Sequence, residues 1–373
     1  METLGRALVV LVGIATVLGV LSSAITTLVL PRAYPSRIAR LMFVVTWGGL
    51  RLVTGRAPSY ERRDQVYAFL GPLYLLFLVW GWLAMVWLCF SGFFWAAGAS
   101  EEGPARPFVD SASSLTTLGF ARPASSGSEL LAALEAVVGL GLLALLISYL
   151  PAVYGSFSRR EAMVNKLSMR AGLPPSGTAL LTWTWHFDRF EDLRQVWSSF
   201  EDWFIEIGES HSTFPVLSFF RSPRAALSWV TAAGAMLDGA ALFASVVELP
   251  RSIEAELCIR AGTLALRSVA DTQGIDYDAD PSPGDPITVI REELEEACAA
   301  LEAAGVPLRV DRELAWRDFA GWRVNYDRVL VSLAANVMAP YAPWSSDRSV
   351  SRRHRPRLIL LRARPVRAGR LFG

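Results

Sequence analysis

Between two long apolar stretches, the chain carries the polar segment Ser113-Ser114-Leu115-Thr116-Thr117-Leu118-Gly119-Phe120-Ala121-Arg122-Pro123. Non-helical backbone at membrane depth is stable only where it is buried in protein or lines a water-filled passage. Consecutive carbonyls and a Thr hydroxyl can replace the hydration shell of a monovalent cation, and a Gly lets the backbone turn these oxygens toward one axis. Thr117 to Phe120 provide all of these elements, so we predict the functional site here.

Three apolar stretches are long enough to cross a bilayer, namely Ala7–Leu30, Val66–Ser100 and Glu129–Tyr154. A hydrocarbon core of about 30 Å requires roughly 20 helical residues at about 1.5 Å each. The composition agrees, since 52% of all residues are hydrophobic. We interpret the first stretch as a retained helix and not as a signal peptide, because it is longer than a secretory core and no small-residue cleavage site follows it.

Basic residues give the predicted orientation. The loop of residues 31–65 carries seven arginines against two acidic residues, so the positive-inside rule places it in the cytoplasm. Arg159 and Arg160 place the region after the third stretch on the same side. Within the loop, Leu41–Leu50 is apolar but too short to span, which favours an interfacial helix, with an additional crossing as the alternative.

The segment from Ser114 to Phe120, followed by the apolar helix Leu130–Ile147, resembles the pore module of the two-transmembrane potassium-channel superfamily. In that superfamily the selectivity filter reads T-V-G-Y-G. The resemblance implies that Thr117, Leu118, Gly119, Phe120 and Ala121 occupy the positions of this motif. With Thr116, they form the predicted carbonyl-lined filter of residues 116–121. It further implies potassium as the permeant ion and a homotetramer, because one pore segment per chain cannot close a filter.

Two residues depart from the pattern of that superfamily. Ala121 stands where the second filter Gly is usual, and a residue with a side chain is less easily accommodated at positive φ. Arg122 stands where an Asp is usual and places a cation at the outer mouth. Potassium selectivity is therefore less well defined by the sequence than the pore itself.

Residues Phe108–Thr116 are predicted to form a short pore helix that dips into the membrane. Asp110 would lie in its first turn, where a carboxylate complements the positive end of the helix dipole. Alternatively, Asp110 belongs to an external ring that attracts cations.

The stretch Glu129–Tyr154 is the predicted inner helix. Its Glu135 is ionisable, and we expect it to form a hydrogen bond to the back of the pore helix or the filter. Gly139 and Gly141 are either close-packing positions or a gating hinge, and the resemblance favours Gly141 as the hinge. Pro151 removes a helical hydrogen bond and offers a second bending point.

Residues 158–340 have helical patterning with breaks at Gly and Pro, which predicts a helical cytosolic domain. Amphipathic helices are expected at Phe190–Glu209, Ile290–Ala304 and Arg312–Met338. Ala225–Leu249 is long and apolar but contains Asp238. We expect it to be the central helix of the soluble bundle, with a further membrane crossing as the alternative.

The sequence has no signature of an enzyme. No phosphate-cradling Gly loop or dinucleotide fingerprint occurs. None of the histidines lies in a metal-ligand or nucleophile motif: they are His186, His211 and His354. The three cysteines are too far apart in the sequence to indicate a disulfide framework or a zinc site. We therefore expect no catalytic residue, no bound metal and no cofactor, apart from a permeant monovalent cation such as K⁺.

The net charge is only +1, which gives no general attraction to nucleic acid. Residues 348–370 are rich in arginine and are predicted to form a disordered cytoplasmic tail. Such a tail can contact anionic headgroups of the lipid bilayer.

The sequence thus predicts an all-α protein of four parts. Residues 1–65 contain a transmembrane helix and a basic segment, 66–157 an ion-channel pore domain, 158–340 a helical cytosolic domain, and 341–373 a basic tail. The predicted protein is a multi-pass pore-forming subunit of the plasma or inner membrane. The alternatives are a poorly selective cation channel and a non-conducting, membrane-anchored scaffold or sensor that acts through its helical domain.

Overall fold

The computed structural model describes residues 2–30, 36–54, 60–99, 103–123, 125–187 and 190–348. Within these ranges the secondary structure is helical, and the β-type pairing consists of an isolated antiparallel bridge between Val247 and Leu308. The prediction of an all-α fold is confirmed. The helices are α1 (Glu2–Leu28), α2 (Arg37–Thr54), α3 (Tyr60–Tyr67), α4 (Leu70–Ala96), α5 (Arg106–Leu115), α6 (Ser126–Ala171), α7 (Gly177–His186), α8 (Asp192–Thr213), α9 (Trp229–Ser245), α10 (Ile253–Gln273), α11 (Arg291–Ala303), α12 (Arg312–Arg323) and α13 (Asp327–Asn336).

The chain divides into two compact units. The first contains the described residues of 1–55 and 69–154, and therefore α1, α2, α4, α5 and the beginning of α6. The second contains those of 56–68 and 155–373, and therefore α3, the end of α6 and α7 to α13. Parts of the predicted basic loop (31–35 and 55–59), of the turn before α5 (100–102) and of the arginine-rich tail (349–373) lie outside the described residues.

Three helical stretches are long and apolar enough to cross a membrane: Thr3–Leu28, Tyr60–Ala96 and Ser126–Ala171. Each of them overlaps one of the three spans expected from the sequence, which indicates a membrane protein. The first two stretches end earlier than expected, at Leu28 and Ala96, and only the third contains its whole predicted span. The predicted short helix at Leu41–Leu50 lies within α2, which is not among these three stretches. Its position at the membrane interface stays a prediction.

In the first unit, α1 packs closely against α4. A Cβ at Gly92 would lie 2.8 Å from Cγ1 of Val9, so the glycine permits this approach. Further along the same pair of helices, Trp82 Nε1 donates to Ser23 Oγ at 3.0 Å, and both side chains are buried. Interhelical hydrogen bonds of this kind fix the register of two apolar helices, for which burial alone gives little direction in lipid.

The core of the second unit is built around α9. Nearly every residue of α9 is buried, on all sides of the helix. Gly177 in α7 allows this close packing, because a Cβ there would lie 2.4 Å from the backbone nitrogen of Gly239. A helix that is apolar all round and covered by protein is a core element. Trp229–Ser245 is therefore a central helix of its bundle, as expected. That this bundle is soluble and that α9 does not cross a membrane stay predictions.

Asp238 in the middle of α9 is explained by a buried ion network. Its Oδ1 forms an ion pair with Arg323 and accepts a hydrogen bond from the Tyr326 hydroxyl at 2.9 Å. Arg323 Nε also donates to Asp327 Oδ1 at 2.7 Å. All four side chains are buried, so each charge depends on its partner within the protein.

The prediction of a single helix over Arg312–Met338 is wrong, and residues of the same network help to explain why. The structure has two helices, α12 and α13, separated at 324–326. Asp327 opens α13, and its carboxylate accepts hydrogen bonds from both the backbone nitrogen and the hydroxyl of Thr288, at 2.9 and 2.7 Å. The carbonyl of Asn325 accepts from Arg267 Nη2 at 3.0 Å. Hydrogen bonds to the side chains of Arg267 and Asp327 take the place of helical backbone hydrogen bonds at this break. Hydrophobic periodicity does not reveal such contacts.

The prediction that the basic tail begins at residue 341 is wrong. Residues 341–348 pack on the second unit, where Ala342 and Ser345 are buried and the Trp344 ring lies 5.5 Å from that of Phe319. Arg348 forms an ion pair with Glu293 at 2.5 Å. The aromatic and small residues of this stretch pack against the second unit, although the sequence that follows them is rich in arginine.

A second buried polar cluster joins α6 to α8. Arg160 donates to the carbonyls of Leu217 and Phe220, both at 2.7 Å, and its Nη1 lies 3.3 Å from His211 Nε2. Since a guanidinium can only donate, Nε2 accepts and the proton of the neutral imidazole lies on Nδ1, which donates to the Ile207 carbonyl at 3.1 Å. Burial, and then the charge of Arg160, lower the pKa of His211 well below its usual value.

Acidification should destabilise the second unit through His211. The folded protein holds the ring neutral, whereas the unfolded chain takes up a proton below about pH 6.5. Stability is therefore fully present above that pH and falls below it, by up to about 1.4 kcal/mol per pH unit for one group. Thermal unfolding between pH 7.5 and 5.5 should show a steeper fall in Tm for the native protein than for His211→Gln. Parallel pH profiles would contradict this.

Candidate functional site

Helix α5 is fixed against α4 by Trp87. The indole Nε1 of Trp87 donates to the Phe108 carbonyl at 3.1 Å, and the two rings lie 5.7 Å apart. The hydrogen bond of Trp87 to an early residue of α5 positions the short helix that precedes the candidate site.

Asp110 does not lie in the first turn of α5, because the helix begins at Arg106 and not at Phe108. The prediction of an N-terminal carboxylate is therefore wrong. The Asp110 side chain is buried and accepts from Arg106 Nε at 2.8 Å. Arg106 in turn donates through Nη2 to the carbonyl of Arg122 at 2.6 Å. Asp110 thus holds an arginine that ties the start of α5 to the far end of the candidate segment.

The segment after α5 is irregular and exposed in the single chain. Thr116 ends the helix, and its Oγ1 donates to the Ala112 carbonyl at 2.7 Å. Thr117 has φ of +57° and Gly119 has φ of +69°. Between and after them, Leu118 and Phe120 are 73% and 63% exposed. Thr116 to Phe120 therefore form neither helix nor strand, and large apolar side chains alternate with left-handed backbone.

Ala121 returns toward α5. Its backbone nitrogen donates to Ser113 Oγ at 3.0 Å. Positive φ occurs at Thr117 and Gly119 within the described segment and not at Ala121, so the methyl group causes no backbone strain there. The hydrogen bond between Ala121 and Ser113 therefore closes a loop that leaves α5 at its end and returns to it at Ala121.

Glu135 lies behind this loop, and the sequence-based expectation for it is met. Its Oε1 is 2.6 Å from Ser111 Oγ, which also lies 3.0 Å from the Trp87 carbonyl. Glu135 and Ser111 are fully buried. The hydrogen bonds among Trp87, Ser111 and Glu135 therefore connect α4, α5 and α6 and support α5.

The two inner-helix glycines have different surroundings. A Cβ at Gly139 would lie 2.8 Å from the Leu115 carbonyl oxygen, so Gly139 is the close-packing position where α6 meets the end of α5. A Cβ at Gly141 would meet no atom within 4 Å. Pro151 lies inside α6, which continues as one helix to Ala171. A gating role for Gly141 and Pro151 stays a prediction.

Replacing Glu135 with alanine should loosen the support of α5. The variant loses a buried hydrogen bond, which contributes about 1–2 kcal/mol between membrane helices, and it leaves a gap beside Ser111. Hydrogen–deuterium exchange in residues 106–121 of the detergent-solubilised protein should increase. Glu135→Gln is the matched control, because its amide is of the same size and can still bond Ser111. Identical exchange in the alanine variant and the native protein would contradict this role.

Sequence reasoning predicted no contact for three side chains that shape the site, namely Arg106, Ser111 and Ser113. The signal was present for the two serines, since they lie two residues apart in a short helix flanked by apolar spans. The hydrogen bond from Arg106 to the Arg122 carbonyl forms only because the intervening backbone loops back, and no local sequence pattern predicts this.

The site contains carbonyls, hydroxyls and amides, and no cluster of three or more metal-ligating side chains occurs in the described ranges. Carbonyl and hydroxyl oxygens are groups that can replace the hydration shell of a monovalent cation. Comparisons with protein-family models, with curated proteins and with solved structures give no match to this chain.

Proposed function

We propose that this chain is the pore-forming subunit of a cation channel, in which residues 116–121 of several copies line the ion path. The observation that carries the proposal is an exposed, irregular segment flanked by helices that are long and apolar enough to span a bilayer. Such backbone cannot face lipid, because its polar groups would lack partners. Contact with other copies around a water-filled passage removes this difficulty.

Further support comes from the way the segment is anchored. Ser113 holds Ala121, Arg106 holds the Arg122 carbonyl, and Glu135 supports the pore helix from behind. All three contacts leave Thr117 to Phe120 free to face an axis. The backbone nitrogens of Thr117 and Gly119 also donate to carbonyls of α5, at 3.0 and 3.4 Å. Backbone carbonyls held in place in this way are what a selective ion path requires.

Potassium is the proposed ion, by resemblance of Thr117 to Phe120 to the filter of potassium channels. Closed rotational symmetry, as a homotetramer, would complete the filter. The presence of Ala121 and Arg122 favours a second candidate, a channel with poor selectivity between potassium and sodium. Arg159 and Arg160, which follow the last apolar span, support a cytoplasmic location for the second unit.

Reconstitution into liposomes tests the proposal. Vesicles that contain the purified oligomer should dissipate a potassium gradient faster than protein-free vesicles do. The same vesicles should dissipate a sodium gradient more slowly than a potassium gradient. Equal potassium and sodium fluxes would replace the selective channel by the poorly selective one. Absence of flux for both ions, or a strictly monomeric particle in detergent, would reject both.

A further inference from the structure

We propose that a cavity between α6, α7 and α8 in the second unit binds a small organic phosphate that carries a planar ring. The cavity has a volume of about 420 Å³, which is within the usual range for small-molecule sites. It is lined by Lys166 and Arg170 from α6, by Trp183 and Phe187 on and just after α7, and by residues of α8. This site lies outside the proposed ion path.

The two cations are the first reason for an anionic ligand. Lys166 and Arg170 lie one helical turn apart and both line the cavity. Among the described residues, neither forms an ion pair, and Arg170 Nη1 is buried without a hydrogen-bond acceptor. A buried donor without an acceptor is costly, and like charges at this spacing repel each other. A phosphate group in the cavity would remove both penalties.

The aromatic pair is the reason for a planar ring. Trp183 and Phe187 have ring centroids 4.8 Å apart, yet their side chains are 42% and 54% exposed. Large apolar surfaces that stay exposed beside a cavity mark binding surfaces more often than isolated ones do. A ring system placed against them would gain both burial and aromatic contact.

The α8 wall adds polar groups to the same cavity. Asp192 and Gln195 line it, together with Ser199. A carboxylate beside two cations does not favour a simple anion such as inorganic phosphate. It does suit a ligand that presents hydroxyl groups between its phosphate and its ring. The nucleoside monophosphates have this chemistry, with phosphate, sugar hydroxyls and a planar base.

Calorimetric titration of the full-length protein in detergent with adenosine monophosphate tests the assignment. We expect saturable binding that the double variant Lys166→Gln/Arg170→Gln weakens by at least about tenfold, because charge-assisted hydrogen bonds are lost. Trp183→Leu should weaken it by about fivefold through loss of aromatic contact. Arg328→Gln is the matched control, since Arg328 is exposed on α13 and lies outside the cavity. Its affinity should equal that of the native protein.

Three results would overturn the proposal. The first is absence of saturable binding of adenosine monophosphate. The second is equally tight binding of inorganic phosphate, which would show that the ring contributes nothing. The third is that phosphatidylglycerol micelles bind to the cavity and adenosine monophosphate does not, which would assign the two cations to a lipid headgroup. Because binding is measured without ion flux, failure here is distinguishable from failure of the channel proposal.

Discussion

Replacement of Gly119 by valine should abolish ion flux while leaving the protein folded. Gly119 has φ of +69°, a conformation that a β-branched residue adopts only at a cost of about 1–2 kcal/mol. A Cβ at this position would meet no atom of the same chain within 4 Å, so the fold of the single subunit has room for it. In an assembled filter, however, the side chain and the altered backbone would lie in the ion path. We expect potassium flux in liposomes to fall by at least about tenfold.

Gly172→Val separates backbone strain from loss of function. Gly172 has φ of +75° and equally open surroundings, but it follows α6 and is far in sequence from the filter. Both variants should lose similar thermal stability, and Gly172→Val should still conduct. Normal flux in Gly119→Val would exclude residues 116–121 as the ion path, whatever its effect on stability.

The parts of the fold that depend on composition were predictable from the sequence. The three spans were predictable because a long apolar stretch with few charged residues is stable only when it is buried in protein or in a membrane. The central position of α9 was also predictable, since one Asp and several small residues within an apolar helix favour a bundle core. Glu135 was expected to have a polar partner, because an unpaired carboxyl group is costly among apolar helices.

The parts that depend on the backbone path were not predictable. The contact of Arg106 with the Arg122 carbonyl crosses 16 residues, and the hydrogen bond between Ser113 and Ala121 crosses eight. Both require the loop to exist first. The break between α12 and α13 is equally hidden, because its causes are Thr288 and Arg267, which lie on distant segments. Local patterns report helices, whereas these contacts determine where helices end.

Removal of Arg323 should give the largest loss of stability in the second unit. Arg323 is fully buried and bonds Asp238, Asp327 and the carbonyl of Trp344. It therefore connects α9, α12, α13 and the segment after α13. Replacement by methionine keeps an unbranched apolar side chain but removes the guanidinium, which leaves two buried carboxylates without their cation. Breaking a buried ion pair in this way typically costs about 3–5 kcal/mol.

For a unit of this size, that loss corresponds to a fall in Tm of roughly 6–20 °C. Arg328→Met is the matched control, because Arg328 is exposed on α13 and should change Tm by less than about 2 °C. A triple variant, Arg323→Met with Asp238→Asn and Asp327→Asn, should recover part of the loss, since it removes the unpaired charges together with their partner. If Arg323→Met has the same Tm as the native protein, the ion network does not hold these helices together. Their packing must then depend on apolar contacts alone.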